Sequence, residues 1–283
     1  MQTIIGLGKA GCAIAETFSQ FPQYKIYKID VGLENGPFQY AMEHHETPEQ
    51  YEANCPDLRQ FLKGVSGEIL FITSCGNISG ASLRILHQIK DDCTISVLYI
   101  KPDASFLSDV GFMQNNLIFN VFQEYARSAV FNRLYIIDNL KLIDIVGDLT
   151  IVEYHDRLND MIVSNMHMIN VFNNTDSVMN NFSANIETAR ISTFGLVNYE
   201  DGEEKLFFSL DNVRKKRYYY AVPEKTLKSD GQLMKNISKQ LKENNEHDKM
   251  KIDYGVYATQ YDSLYVYFVA DSSIIQKNLD KEN

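Results

Sequence analysis

Near the start of the chain, Gly6-Leu7-Gly8-Lys9-Ala10-Gly11 follows directly on a short β-rich run, Thr3–Ile5, and leads into the small and apolar residues Cys12-Ala13-Ile14-Ala15. Three glycines at this spacing between a strand and a helix favour a tight turn that lays the helix close against the strand. The first helical N–H groups and the positive end of the helix dipole are then left free for phosphate. The same letters also serve as a glycine turn that only packs a helix on a strand. The strand-then-helix order recurs: Lys25–Ile29, Ile69–Thr73, Thr94–Ile100 and Arg133–Ile137 read as further strands. Between the last two, Phe112–Phe131 carries Leu117, Val121, Tyr125 and Val130 at helical spacing, and a longer helix is expected from about Thr150 to Phe172. Alternation of this kind predicts a parallel sheet covered by helices, an α/β fold.

From about Ala189 the pattern changes. Arg190–Asn198, Lys205–Ser209 and Arg217–Val222 read as strands, followed by one helix with Leu233, Ile237 and Leu241 on its apolar face and a capping box from Ser229 and Gln232. Ile252–Thr259 and Leu264–Val269 then predict a closing hairpin turned at Gln260–Ser263. The expected organisation is a nucleotide domain over residues 1–174, including the long helix, an α+β domain over 175–273, and a polar tail over 274–283 that should fray. A chain of 283 residues, 45% hydrophobic and 23% charged, has room for two such units.

Composition narrows the partners. A net charge of −10 disfavours a general polyanion binder, so nucleic acid is not expected and anion binding falls to local backbone geometry. No apolar run approaches the ~20 residues of a membrane span, and the first residues begin a strand without a basic leader, so no direct membrane contact is expected. Cys12, Cys55, Cys75 and Cys93 lie far apart with no C-x-x-C pair, which predicts neither zinc nor disulfides and fits a reducing, cytoplasmic setting. His44-His45-Glu46 ahead of Pro48 reads as surface loop, and no metal site is expected there. Arg214-Lys215-Lys216-Arg217 reads as a solvated turn before a strand, and Tyr218-Tyr219-Tyr220 as strand residues.

Asp30, at the end of the second predicted strand, is placed to accept from a ribose hydroxyl. With Gly6, Gly8 and Gly11 alone, a nicotinamide-dependent oxidoreductase is the natural reading. A second loop changes it. Phe71-Ile72-Thr73-Ser74-Cys75-Gly76-Asn77-Ile78-Ser79-Gly80-Ala81-Ser82 leaves a strand through small, polar, glycine-containing residues and enters another helix. Two facing strand–loop–helix turns offer backbone donors to a polyphosphate from both sides.

At this point the chain resembles the tubulin/FtsZ superfamily, as a short, divergent FtsZ- or TubZ-like member. The first loop with GLGKAGCAIAETF and the loop after ILFIT resemble the family's phosphate loops. Tyr99-Ile100-Lys101-Pro102 and Leu134–Ile143 resemble later strand ends, and Leu158-Asn159-Asp160 resembles its guanine-reading helix. The resemblance implies GTP or GDP, with Mg2+ as companion ion, held by Gly6, Gly8, Lys9, Gly11, Cys12, Asp30, Gly76, Asn77, Ser79 and Gly80, with His155 packing on the base and Asn159 reading its edge. It further implies head-to-tail self-assembly into filaments, and hydrolysis at the subunit interface through Asn174, which positions water, and Asp176, which polarises it. Two departures leave hydrolysis open: β-branched Ile78 replaces a loop glycine, and Met179 stands where a second acid is expected. Asn173–Asp176 also reads as an ordinary helix stop, and the hydrolytic loop has an alternative register near Asn180–Ala184. An NAD-dependent enzyme and a non-catalytic filament or scaffold protein therefore remain as the competing readings.

Overall fold

The computed structural model describes residues 2–244 and 250–277. The chain forms two compact units, passing from the first to the second between Val163 and Ser164 and returning between Ile274 and Ile275.

In the first unit the order is β1 (Gln2–Leu7), α1 (Gly8–Thr17), β2 (Tyr24–Val31), β3 (Gln39–Met42), α2 (Pro48–Ala53), β4 (Gly67–Thr73), α3 (Ser82–His87), β5 (Cys93–Lys101), α4 (Asp109–Arg127), β6 (Arg133–Asp138), α5 (Asn139–Val146) and the long α6 (Tyr154–Asn173), which leads into the second unit. The five expected strands are present, each running within three residues of its predicted ends. The sheet order is β3-β2-β1-β4-β5-β6, and every pairing is parallel. All strands therefore deliver their carboxyl ends to one edge. The order of succession reverses between β1 and β4, which makes the crevice at their carboxyl ends the topological switch point where α/β sheets bind ligands. Strands β1, β4 and β5 are nearly continuous runs of buried residues (Ile4, Ile5, Ile69–Ile72, Val97–Ile100), as a sheet covered on both faces requires.

Three elements of this unit were not anticipated. Strand β3 and helix α2 are four and six residues long, too short for a periodic signal, and α5 grows directly out of β6 through an Asp138 cap on the Leu140 N–H. Helix α4 starts earlier than expected, capped by Ser108, and ends where Ala129 turns with φ 62°.

The second unit contains β7 (Met179–Asn180), β8 (Ile191–Val197), β9 (Glu204–Leu206), β10 (Val213–Pro223), α7 (Glu224–Ser229), α8 (Leu233–Glu243), β11 (Lys251–Thr259) and β12 (Tyr265–Ser272). Its sheet order is β8-β12-β10-β11-β7, with β9 paired to β8. The expected β11–β12 hairpin does not form. Strand β10 lies between them, parallel to β11 and antiparallel to β12. The reason is that β10 holds an unbroken buried run from Tyr218 to Pro223 and needs ladder partners on both sides, which a hairpin would leave it without. Alternation along β10 splits its tyrosines: Tyr218 and Tyr220 join Leu233 and Ile237 of α8 in one core, whereas Tyr219 and Tyr257 stack near Phe172 of α6.

Two smaller expectations are also corrected. Ser229 does not cap α8: it closes α7 by bonding back to the Lys225 carbonyl, and Asp230 accepts the Gln232 N–H instead. The tail does not fray as far as it is described, because Gln276 is buried and exchanges two hydrogen bonds with buried Gln123 of α4, at 2.6 and 3.2 Å. Residues 278–283 lie outside the described residues.

Candidate functional site

The first loop is built from three glycines with different duties. A Cβ on Gly6 would collide with the Gly11 carbonyl, and one on Gly11 with the Ile72 carbonyl of β4, so both are fixed by the close approach of α1 to the sheet. Gly8 opens α1 at φ 72°, a left-handed conformation that costs an L-residue ~1–2 kcal/mol. A Cβ there would lie 2.7 Å from the Ile78 Cγ2, so the two loops meet across the switch point at Gly8 and Ile78. Lys9 is exposed beside them.

Cys12 is buried beneath this turn. Its thiol points at the carbonyls of Gly6 and Ile29 (3.4 and 3.6 Å), and burial, aided by the Asp30 charge, pushes its pKa up to about 12. It packs the turn and has little thiolate to offer. Asp30, one residue before the end of β2, is half-buried. Burial raises its pKa against the opposing pull of the Val31 N–H bond (2.8 Å) and the Lys9 charge, so Lys9 and Asp30 share the first loop's electrostatic field.

After β4, Ser74 ties the second loop to the sheet by donating to the Ile100 carbonyl at 2.7 Å. The chain then winds into a 3-10 turn over Asn77–Ala81, closed by Ser79 N–H donating to the Gly76 carbonyl at 2.8 Å. Ile78 sits inside this turn, and the described non-glycine residues with positive φ are Ala129 and Asn212, so the loop accommodates the β-branched residue by right-handed winding. The Asn77 amide donates to the Glu46 carbonyl at 2.6 Å, and a Cβ on Gly80 would collide with the Pro48 carbonyl. These two residues dock the loop onto the segment entering α2, a role sequence spacing does not reveal. Gly76 has open space around it. Ser79 and Ser82 are buried, and neither hydroxyl has a hydrogen-bond partner among the described residues. Leaving such groups unpaired is costly, so they are candidates for ligand contact.

Further along the same edge, Lys101 and Asp138 end the adjacent strands β5 and β6 as a buried ion pair at 2.8 Å. Lys101 figured in the sequence reading and Asp138 did not; its signal is an acid at the end of the apolar run LYIID. Tyr154, the first residue of α6, lies near this edge: burial raises its pKa, and the charges of Asp103 and Asp138 add to the rise. His155 is exposed and meets the Tyr154 ring edge-on at 5.0 Å, and Asn159 is half-buried one turn on. His155 and Asn159 thus lie on the first turns of the helix whose start faces Asp103 and Asp138.

Asn174 and Asp176 belong to the second unit. Asn174 follows the last residue of α6: its amide donates back to the Asn170 carbonyl at 2.8 Å, and the Thr175 hydroxyl donates to the Val171 carbonyl. The helix-stop reading of this cluster is therefore realised. Asp176 is exposed. Met179 is recruited into β7, paired with Val256 of β11.

The basic run is not a solvated turn. Lys215, Lys216 and Arg217 lie within β10. Lys215 is 1% exposed and pairs at 2.7 Å with Asp253, itself 2% exposed, and Lys216 pairs with Glu204 at 2.5 Å. Burial alone would raise the Asp253 pKa, but Lys215 and Ser183 hold it below the usual carboxylate range. The signal for this arrangement, an acid in the apolar surroundings of a parallel neighbour strand, is not local to the run.

Among the described residues no group of three or more His, Cys, Asp or Glu is placed to hold a metal ion, and no helix is long and apolar enough to cross a membrane. No protein-family model matches the chain, and no curated protein matches it in sequence. Solved structures do. A GTPγS-form protofilament of TubZ from Bacillus thuringiensis serovar israelensis superposes with TM-score 0.74 at 15% identity, over 97% of this chain and 87% of that one. An FtsZ dimer from M. jannaschii gives 0.68 at 10% identity over 96% and 88%. A GTPγS-bound protofilament of CetZ2 from Haloferax volcanii gives 0.68 at 14% identity over 95% and 92%. The chain has the tubulin/FtsZ-like fold.

Proposed function

We propose that the first unit binds a guanine nucleotide in the crevice between β1 and β4, and that copies of the chain join head to tail into filaments. One observation carries the reading: two strand–loop–helix turns flank the topological switch point and meet at Gly8 and Ile78, and further along the second loop the Ser79 and Ser82 hydroxyls are buried with no hydrogen-bond partner among the described residues. In this reading the N-terminus of α1 and the 3-10 turn after β4 supply N–H donors to the phosphates, with Lys9 as a cation at the mouth. Asn159 reads the base edge, since an amide donates and accepts at once, and His155 packs on the ring. A Mg2+ ion would come with the phosphate oxygens, because one or two protein ligands suffice for it. The likeness to TubZ protofilaments in GTPγS and GDP forms supports both parts of the reading.

Hydrolysis is the weaker element. With the Asn174 amide folded onto α6, Asp176 is left to act on water at a neighbouring subunit's nucleotide. A non-catalytic filament is accordingly the second reading, favoured by Met179 serving as a strand residue. Titration with fluorescent GTP, ATP and NADH tests the site. GTP should saturate, ATP should bind at least ~10-fold more weakly, and Asn159→Ala should cost ~1–3 kcal/mol by stranding polar partners. Saturation by NADH in place of GTP would overturn the assignment.

A further inference from the structure

In the second unit the turn between β8 and β9 faces one side of α8, and the two enclose a cleft of about 520 Å3. That volume is in the range of small-molecule sites. The turn is held by its own bonds: the Gly202 N–H donates to the Asn198 carbonyl at 2.8 Å, and the Asn198 and Asp201 side chains accept the Glu200 and Glu203 N–H groups. Both walls are therefore ordered without a ligand. The floor between them is polar and only partly satisfied. Gln240 of α8 is 7% exposed, and its Oε1 accepts from the Tyr220 hydroxyl at 2.8 Å. This bond orients the amide so that Nε2 faces the turn, 3.9 Å from where a Cβ on Gly202 would stand, with no hydrogen-bond partner among the described residues. The Tyr199 hydroxyl, also lining the cleft, is buried with the Asn236 amide alongside and no well-formed hydrogen bond. Buried donors left without acceptors are costly, and ligand oxygens would satisfy both.

The rim carries the opposite demand. Glu200 and Asp201 border the cleft on the turn and Glu243 on α8, and the charge of Asp230 reaches Tyr199 as well. The one cation lining it, Lys239, is already engaged with Glu243 at 3.6 Å. The Glu200 carboxylate has no hydrogen bond or ion pair among the described residues. An excess of negative charge around a concave site concentrates cations there. We propose that this cleft binds a small organic cation that also carries hydroxyl or carbonyl oxygens, the chemistry of an amino sugar. The ammonium is held by Glu200 and Glu243, one oxygen accepts from the Gln240 amide, and a second accepts from the Tyr199 hydroxyl. Neither half of that chemistry suffices alone: a bare polyamine leaves the amide and the phenol unmet, and a neutral sugar leaves the carboxylates unmet. Every residue of the site belongs to the second unit, so the inference does not depend on nucleotide binding or on assembly.

The experiment titrates the full chain with four probes, glucosamine, N-acetylglucosamine, glucose and putrescine, and follows the side-chain amide signals by NMR. Glucosamine should saturate and bind at least ~5-fold more tightly than each of the others, the gain expected when two exposed carboxylates meet one ammonium. Glu200→Gln with Glu243→Gln should bring glucosamine down to the level of glucose. Both positions are exposed, so this variant should keep the wild-type melting curve. Tyr199→Phe should weaken glucosamine ~3-fold or more while keeping its preference over putrescine smaller than in the wild type, since one oxygen contact is lost. Failure of glucosamine to saturate, equal affinity for the four probes, or glucosamine binding indifferent to the Glu200→Gln, Glu243→Gln variant overturns the proposal.

Discussion

Replacing Lys215 with methionine removes one charge from a deeply buried ion pair in the second unit, and its cost follows from the contacts. The Lys215 ammonium donates to Asp253 at 2.7 Å, to the Ser183 carbonyl and hydroxyl at 3.1 and 3.2 Å, and to the Ala184 carbonyl at 3.1 Å. Methionine fills nearly the same volume, so packing changes little and the loss is electrostatic. Asp253 would keep the Ser183 N–H and hydroxyl, and Arg217 at 3.5 Å, but would lose its closest cation inside a site 2% exposed. Breaking a buried pair from one side costs ~3–5 kcal/mol, because an uncompensated charge stays behind. For a unit of this size that is a fall of roughly 10–20 °C in Tm.

Lys215→Met with Asp253→Leu should be less damaging than Lys215→Met alone, since no charge is left stranded. The chain has no Trp, so near-ultraviolet tyrosine signals are the probe, and Tyr218–Tyr220 report from the same strand. Acid gives an independent reading. The folded pKa of Asp253 is depressed, so its contribution to stability is present above the unfolded value of ~3.9 and is lost as pH falls through that value toward the folded one. Asp253→Asn should flatten the acid limb of the stability curve. A Lys215→Met protein within ~1 kcal/mol of wild type in urea, with an unchanged acid limb, would refute the reasoning and mean that water or Arg217 compensates the carboxylate.

Gly11→Ala and Gly80→Ala should each destabilise the first unit more than Gly8→Ala does, because their Cβ atoms meet backbone whereas that of Gly8 meets a movable Ile78 methyl; thermal melts rank the three, and the reverse order would contradict the packing described. Gly8→Ala should still cost ~1–2 kcal/mol for its left-handed φ. Cys12, with a pKa pushed up to about 12, should resist iodoacetamide at pH 8 until the protein unfolds, as read by mass spectrometry; native labelling at the rate of a free thiol would contradict its burial. Asp176→Ala should leave GTP binding intact, and should slow any turnover that rises with protein concentration. Turnover indifferent to the change would remove Asp176 from the catalytic role.

How much of this was legible in advance depends on how local each cause is. The parallel sheet was readable because strands such as Ile69–Thr73 are buried on both faces and write their own apolar runs. Helix α6 was readable because twenty residues repeat one face. The β11–β12 hairpin was misread because strand partners are chosen by a third strand, β10, whose burial on both sides is set by α8 on one face and Phe172 on the other. Lys215 was misread for the same reason: its partner Asp253 stands 38 residues away and becomes a neighbour only through the β10–β11 pairing, in which Arg217 is opposite Asp253. The chain passes between the two units at Val163, well inside α6, a position that no sequence signal marks because a helix looks like a single piece in sequence.

The glycines mark the limit of motif reading at the site itself. Gly6, Gly11 and Gly80 all fit a phosphate-loop pattern, yet each is required by backbone packed against it in the absence of any ligand. Conservation of the letters G-x-G-x-x-G would thus follow from helix–strand contact alone, and a chain that had ceased to bind nucleotide would still need them. What separates a binding turn from a packing turn is the geometry left over after packing is satisfied. Here that remainder consists of Gly8 in its left-handed conformation, the first N–H groups of α1, which have no partner within the helix, and the Ser79 and Ser82 hydroxyls, buried and unpaired among the described residues. Ile78 bears on the same space, since its methyl rests where the two loops meet. A phosphate entering between the loops has to push that methyl aside, so the residue that departs from the glycine pattern is also the one whose truncation should most directly raise affinity. Ile78→Ala should therefore bind GTP more tightly than wild type, a gain that no packing role of the loop would produce.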